Sequence, residues 1–138
     1  EIDRDTGAAR LLQAHGHDDA GVLINPLQVE GQIRGGFAQA VGETLLEAIA
    51  FDGDGQLLTG SFMDYAMPRA DDIPPLSLSH GQTPSPMNPL GAKGVGEAST
   101  TGAPAALMNA IADAFRPTGK PAPQTPFSPA RLWAAMQG

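Results

Sequence analysis

The stretch Asn88-Pro89-Leu90-Gly91-Ala92-Lys93-Gly94-Val95-Gly96-Glu97-Ala98-Ser99-Thr100 constrains this chain more than any other. Gly91, Gly94 and Gly96 let the backbone turn through positive φ, or approach a bulky ligand where a Cβ would clash. Glu97 closes the glycine run. Ser99 or Thr100 is expected to cap a helix, Thr100–Phe115, whose apolar positions Leu107, Ala110, Ile111, Ala114 and Phe115 follow a helical period. A permissive loop, a carboxylate and a helix N-terminus therefore coincide. The residues alone leave two readings of Glu97: a first-turn acid favoured by the helix dipole by ~0.3–1 kcal/mol, or a catalytic base.

Asn25-Pro26 predicts a second helix entry, with Asn as cap and Pro in the first turn, and the helix is expected to run to about Ile49. Val29, Ile33, Phe37, Val41, Leu45 and Ile49 form its apolar face. Gly31, Gly35, Ala38 and Gly42 form a second stripe, and each interior glycine costs ~1 kcal/mol against alanine, so something requires the room. Gln39 lies one turn from Gly35, Gly36 and Gly42 and would project its amide over that bare surface. Close packing of a neighbouring element and close approach of a ligand are both open on spacing alone.

Elsewhere the turn signals Asp5-Thr6-Gly7 and Asp52-Gly53-Asp54-Gly55 predict two antiparallel hairpins. The second turn lacks the Gly and Glu that a calcium loop needs, having Leu57 and Met63 there. Ser61–Tyr65 and Leu76–His80 alternate as strands, the latter half-buried, and Asp71–Pro75 reads as an extended connector. His15 and His17 would share one side of a strand, where a metal is one reading and ordinary exposed histidines the other. After a proline-rich segment, Ser128-Pro129 opens a short helix with Leu132, Trp133 and Met136, Trp133 being the expected packing anchor. The fold class expected is α+β: antiparallel hairpins and strands packed against the Asn25–Ile49 and Thr100–Phe115 helices, with the short C-terminal helix closing one end.

Several segments in order give the chain a resemblance. Besides Asn88–Ala98, these are Asp19–Pro26, Val29–Gln39, Gly60–Pro74 and Ser128–Trp133. Together they resemble the molybdopterin-binding large subunit of the molybdenum hydroxylases, the family of xanthine oxidase, aldehyde oxidase and carbon monoxide dehydrogenase. The resemblance spans nearly the whole chain and implies that residues 1–138 are the C-terminal part of a molybdopterin-binding domain. It implies that Glu97 is the general base beside molybdenum in an oxidative hydroxylation. It also implies that Gln39, with Gly35 and Gly36, lies beside the pterin. The backbone of Ala92, Lys93, Gly94, Val95 and Gly96 would complete the cofactor contacts. Ala40 stands where the family usually has glycine. The implied cofactor is molybdenum–molybdopterin, in its mononucleotide or cytosine dinucleotide form, completed by sequence outside this chain. Iron–sulfur clusters and FAD would sit on partner subunits or domains, and the substrate would be an aldehyde, an N-heterocycle or a similar small molecule.

Composition narrows the alternatives. A net charge of −7 argues against a nucleic-acid partner, and the absence of cysteine removes thiolate-held clusters from these residues. No apolar run approaches the ~20 residues of a membrane span, so the expectation is a cytoplasmic protein without a membrane partner. Glu1-Ile2-Asp3 reads as the middle of a strand, which predicts a fragment or one piece of a split subunit. A reading of a different class is a non-catalytic interaction module that keeps the fold and self-associates through apolar surface.

Overall fold

Two helices carry the core. The structure, a computed structural model, describes residues 1–137. Helix α1, Pro26–Val41, is capped by Asn25, whose side-chain oxygen accepts from the Gln28 amide at 3.2 Å. Its buried face is Ile33, Phe37, Ala40 and Val41. Helix α2, Ala98–Phe115, buries Leu107, Ile111 and Phe115 against it, and Phe127 and Leu132 close the same cluster. Gly36 lets the two helices meet, since a Cβ built there would stand 3.0 Å from the Ser99 Cβ.

Strands β1, Ala14–Asp19, and β2, Leu76–Gly81, form a two-stranded sheet whose strands run parallel, in register from Ala14 with Leu76 to Asp19 with Gly81. This corrects the expected antiparallel hairpins while keeping the mixed α and β character. The physical reason is connectivity: β1 feeds α1 before the chain returns to β2, and such a crossover brings the second strand back in the same direction. Both predicted turns do form. Asp3 accepts from the amides of Asp5 and Thr6, and Asp52 from those of Asp54 and Gln56, but each turn leads only to one isolated antiparallel bridge, Ile2 with Ala9 and Phe51 with Leu57.

Three further expectations change. The first helix does not reach Ile49: a π-helical turn, Gly42–Leu46, ends it, and Glu47 is extended. The Thr44 carbonyl there accepts from the Phe127 amide at 2.7 Å, a long-range bond that diverts the chain and that no local pattern announces. Ser61–Tyr65 is not a strand, because the amides of Asp64 and Tyr65 both turn back to the Ser61 carbonyl. In α3, Pro129–Gln137, the anchor is Leu132, wholly buried, whereas Trp133 is 43% exposed. Leu132→Ala is therefore expected to cost about 2–5 kcal/mol, and Trp133→Ala distinctly less, as read from urea unfolding midpoints.

Candidate functional site

The central loop is held on one side and free on the other. Asn88 grips it first: its Nδ2 donates to the Ala92 carbonyl at 2.9 Å and its Oδ1 accepts from the Ala92 amide at 3.3 Å. An antiparallel bridge then pairs Gly21 with Ala92, through Val22 N–H to the Gly91 carbonyl at 3.0 Å and Lys93 N–H to the Ala20 carbonyl at 2.9 Å. Gly21 and Gly91 both take positive φ, +64° and +67°, and a Cβ on Gly21 would lie only 2.2 Å from the Gly91 oxygen, so glycine is required.

Asp19, at the end of β1, ties this contact together. Its carboxylate accepts from Gly21 N–H at 2.8 Å and from Thr83 N–H at 3.1 Å, and pairs with the Lys93 ammonium at 3.2 Å. Hydrogen bonds from Thr83 and Gly21, with a smaller part from Lys93, hold it far below the usual carboxylate range.

Beyond Lys93 the backbone amides are unengaged until α2 begins, although the Val95 carbonyl accepts from the Ala98 amide at 3.2 Å. The Ala92 and Lys93 amides are used within the chain, whereas among the described residues those of Gly94, Val95 and Gly96 donate to no partner. Glu97 immediately precedes α2, and its carboxylate is exposed, makes no capping bond and has no ion-pair partner among the described residues. Ser99 and Thr100 are not the caps expected for them: both lie inside the first turn, where the hydroxyls of Thr100 and Thr101 donate back to the Glu97 carbonyl at 2.9 Å. The helix starts two residues earlier than its sequence signal, and Pro104 lies within it.

Helix α1 supplies the facing wall. Gln32 reaches the loop, its Oε1 lying 3.7 Å from the place of a Cβ on Gly96. Gly35 and Gln39 are exposed, and nothing lies within 4 Å of a Cβ built on Gly31 or Gly35. Gly36 differs: it is buried against Ser99 and Thr100. The two readings of the glycine stripe thus divide, helix packing at Gly36 and open surface at Gly31 and Gly35. Gln32 and Asp19 were not singled out from sequence. Gln32 shares a helix face with Gln39, seven residues on, which is the signal that would have found it. A cleft of about 340 Å³ between the loop and the start of α1 is lined by Val22, Ile24, Gln28, Gln32, Ala92 and Val95, among others.

The paired histidines point elsewhere. His17 Nδ1 and His15 Nε2 sit 2.9 and 3.2 Å from one Ser79 hydroxyl, and among the described residues no three His, Cys, Asp or Glu side chains gather to hold a metal. The Asp52 turn, likewise, directs its carboxylate at its own amides. Both ring nitrogens of His80 are buried without a partner among the described residues.

The open face at Gly31 and Gly35, the unpaired amides of Gly94–Gly96 and the exposed Glu97 carboxylate are the candidate groups left without a partner among the described residues. Comparison with known proteins gives the family. The family model of the molybdopterin cofactor-binding domain matches residues 1–74, and the chain belongs to that family. Over 138 residues it is 43% identical to the nicotine 6-hydroxylase large subunit of Paenarthrobacter nicotinovorans, covering 100% of this chain and 17% of that subunit. It is 38% identical to the carbon monoxide dehydrogenase large chain of Afipia carboxidovorans, over 96% of this chain and 16% of that one. Quinoline 2-oxidoreductase from Pseudomonas putida 86 has the same fold, with a TM-score of 0.94 and 43% identity over 99% of this chain and 17% of that one. The chain thus spans about a sixth of the length of these relatives.

Asp19 makes the loop contact sensitive to acid in a definite direction. Its pKa is depressed in the folded chain, so its contribution to stability is complete above the ordinary Asp value of 3.8 and disappears as pH falls below that value. Asp19→Asn should lower the thermal midpoint at pH 7, and the gap between variant and parent should close on acidification, as scanning calorimetry from pH 7 to 2 would record.

Proposed function

We propose that this chain is the C-terminal part of a molybdenum hydroxylase large subunit, and that it contributes the base Glu97 and part of the pterin-binding wall. The observation that carries this reading is the free Glu97 carboxylate beside the unpaired amides of Gly94–Gly96. The residues fit the group. Unpaired N–H donors suit an anionic dithiolene and phosphate, and the bare Gly31–Gly35 surface admits a planar ring system against the helix backbone.

The molybdenum–pterin group would supply the oxidising capacity for hydroxylating an electron-poor carbon. The chain's own part is proton handling and placement. Glu97 accepts a proton as the new carbon–oxygen bond forms, and its place immediately before α2 sets where the carboxylate stands. Gln39, beside Gly35, and the backbone amides of Gly94, Val95 and Gly96 are the groups of this chain that would hold the pterin. Gly36 seats α2, and with it Glu97, against α1. Lys93 serves through Asp19.

The remainder of the large subunit would complete the pocket. Leu27, Phe62, Met63 and Met87 are more than 80% exposed, a quantity of apolar surface that calls for cover. Iron–sulfur and flavin subunits or domains, as electron acceptors, complete the assembly in this reading, as does the cytosine dinucleotide form of the pterin. The substrate class is an N-heterocycle or an aldehyde, in line with the relatives named for nicotine and quinoline. Among the described residues no helix is long and apolar enough to cross a membrane, and a cytoplasmic location is proposed.

In the complete enzyme, Glu97→Gln is expected to lower kcat by at least ~100-fold, the scale of general-base catalysis, with molybdenum and pterin content unchanged. Full turnover in that variant would remove the base assignment. Gln39→Ala should instead reduce pterin retention after gel filtration, read by fluorescence of the oxidised pterin.

A further inference from the structure

We propose that Asp19 is a positioning residue for Glu97: it locks the end of β1, the strand exit at Thr83 and the Gly91–Lys93 limb of the loop into one unit, which fixes where the base loop begins. The proposal rests on the reading of Glu97 as base.

The geometry shows a single carboxylate joining its own neighbour Gly21 to Thr83 and Lys93, both more than sixty residues away in sequence. Oδ1 accepts from the Gly21 amide at 2.8 Å, both oxygens accept from the Thr83 amide at 3.1 Å, and Oδ2 meets Lys93 Nζ at 3.2 Å. The first of these bonds orients the Ala20–Val22 segment, whose carbonyl and amide then bond Lys93 and Gly91. Both backbones bend through positive φ at the contact, so the bridge has little latitude: a side chain at Gly21 would collide with the Gly91 carbonyl, and one at Gly91 would meet Pro84 at 3.0 Å and Val22 at 3.1 Å.

Three residues separate Lys93 from Glu97, and among the described residues the amides of Gly94–Gly96 donate to no partner. The Gly94–Gly96 segment therefore hangs between two holds: the Gly91–Lys93 limb, secured by Asn88, Ser85 and the Asp19 unit, and the first turn of α2. Loosening the first anchor lets the glycine segment sample other paths while both helices and the core stay packed. A base displaced by about 1 Å loses on the order of 10²-fold in rate without weakening the binding of its substrate. Lys93 is then a member of this anchor, and its ammonium acts on the carboxylate of Asp19.

The test uses the complete enzyme carrying Asp19→Asn, Lys93→Met or Glu97→Gln, with nicotine, quinoline and benzaldehyde as probe reductants and a dye as electron acceptor. Asp19→Asn should lower kcat about 10- to 100-fold with KM and molybdenum content at parental values, and Lys93→Met should lower kcat by a smaller factor in the same way. Amide hydrogen exchange should quicken across Gly91–Glu97 in both variants and stay unchanged in α1. Parental kcat in Asp19→Asn and Lys93→Met beside an inactive Glu97→Gln overturns the positioning role and leaves the base intact. Full activity of Glu97→Gln overturns the base reading itself. Loss of kcat in step with loss of molybdenum, or exchange that quickens throughout the chain, shows a merely structural role and also overturns the proposal. If Asp19→Asn is not recovered folded, Lys93→Met decides, since it removes the ion pair and leaves the amide bonds of Asp19.

Discussion

The close approach of α1 and α2 at Gly36 determines where every candidate functional group stands. With no side chain there, the first turn of α2 settles on the α1 backbone, and Phe37, Val41, Leu107, Ile111 and Phe115 interlock along the rest of the contact. An interior glycine costs ~1 kcal/mol in helix propensity, which burial of several large side chains, each worth about 1.5–3 kcal/mol, more than offsets. Because Glu97 immediately precedes α2, its position follows from this packing, and so does the nearness of Gly96 to Gln32.

The loop joins this rigid pair to the sheet with an uneven distribution of hydrogen bonds. Its first limb, Asn88–Lys93, is secured by Asn88, by the Gly21–Ala92 bridge and by Asp19. Its second limb, Gly94–Gly96, is left with unpaired amides. Unpaired backbone donors are tolerable in water and costly when buried, which is why these amides carry weight in the proposed function. In the proposed function the molybdenum–pterin group of the family is the anion that these amides would meet. The acidic balance of the chain, −7, makes local donors such as these amides the more necessary near an anion.

The sequence made the two principal helices legible, together with the Asn25 cap, the Leu76–His80 strand and the carboxylate at the end of the glycine loop. These are local matters: apolar periodicity, cap chemistry and glycine spacing act over a few residues and leave marks of the same length. The serial motifs that tie the chain to its family were legible for the same reason, as short segments kept in order.

Tertiary structure alone decided the remainder. It set the strands parallel, because their direction depends on how α1 returns the chain and the turns at Asp3 and Asp52 have no bearing on it. It ended α1 before Ile49 through the bond from Phe127 to Thr44, and it made Leu132, with its neighbour Trp133 left half-exposed, the anchor of α3. It divided the glycine stripe, giving Gly36 to helix packing and leaving Gly35 open, and it recruited Asp19 to the loop across more than seventy residues. Each of these rests on a contact between segments distant in sequence, and such a contact appears only when the core has fixed both of its ends in space.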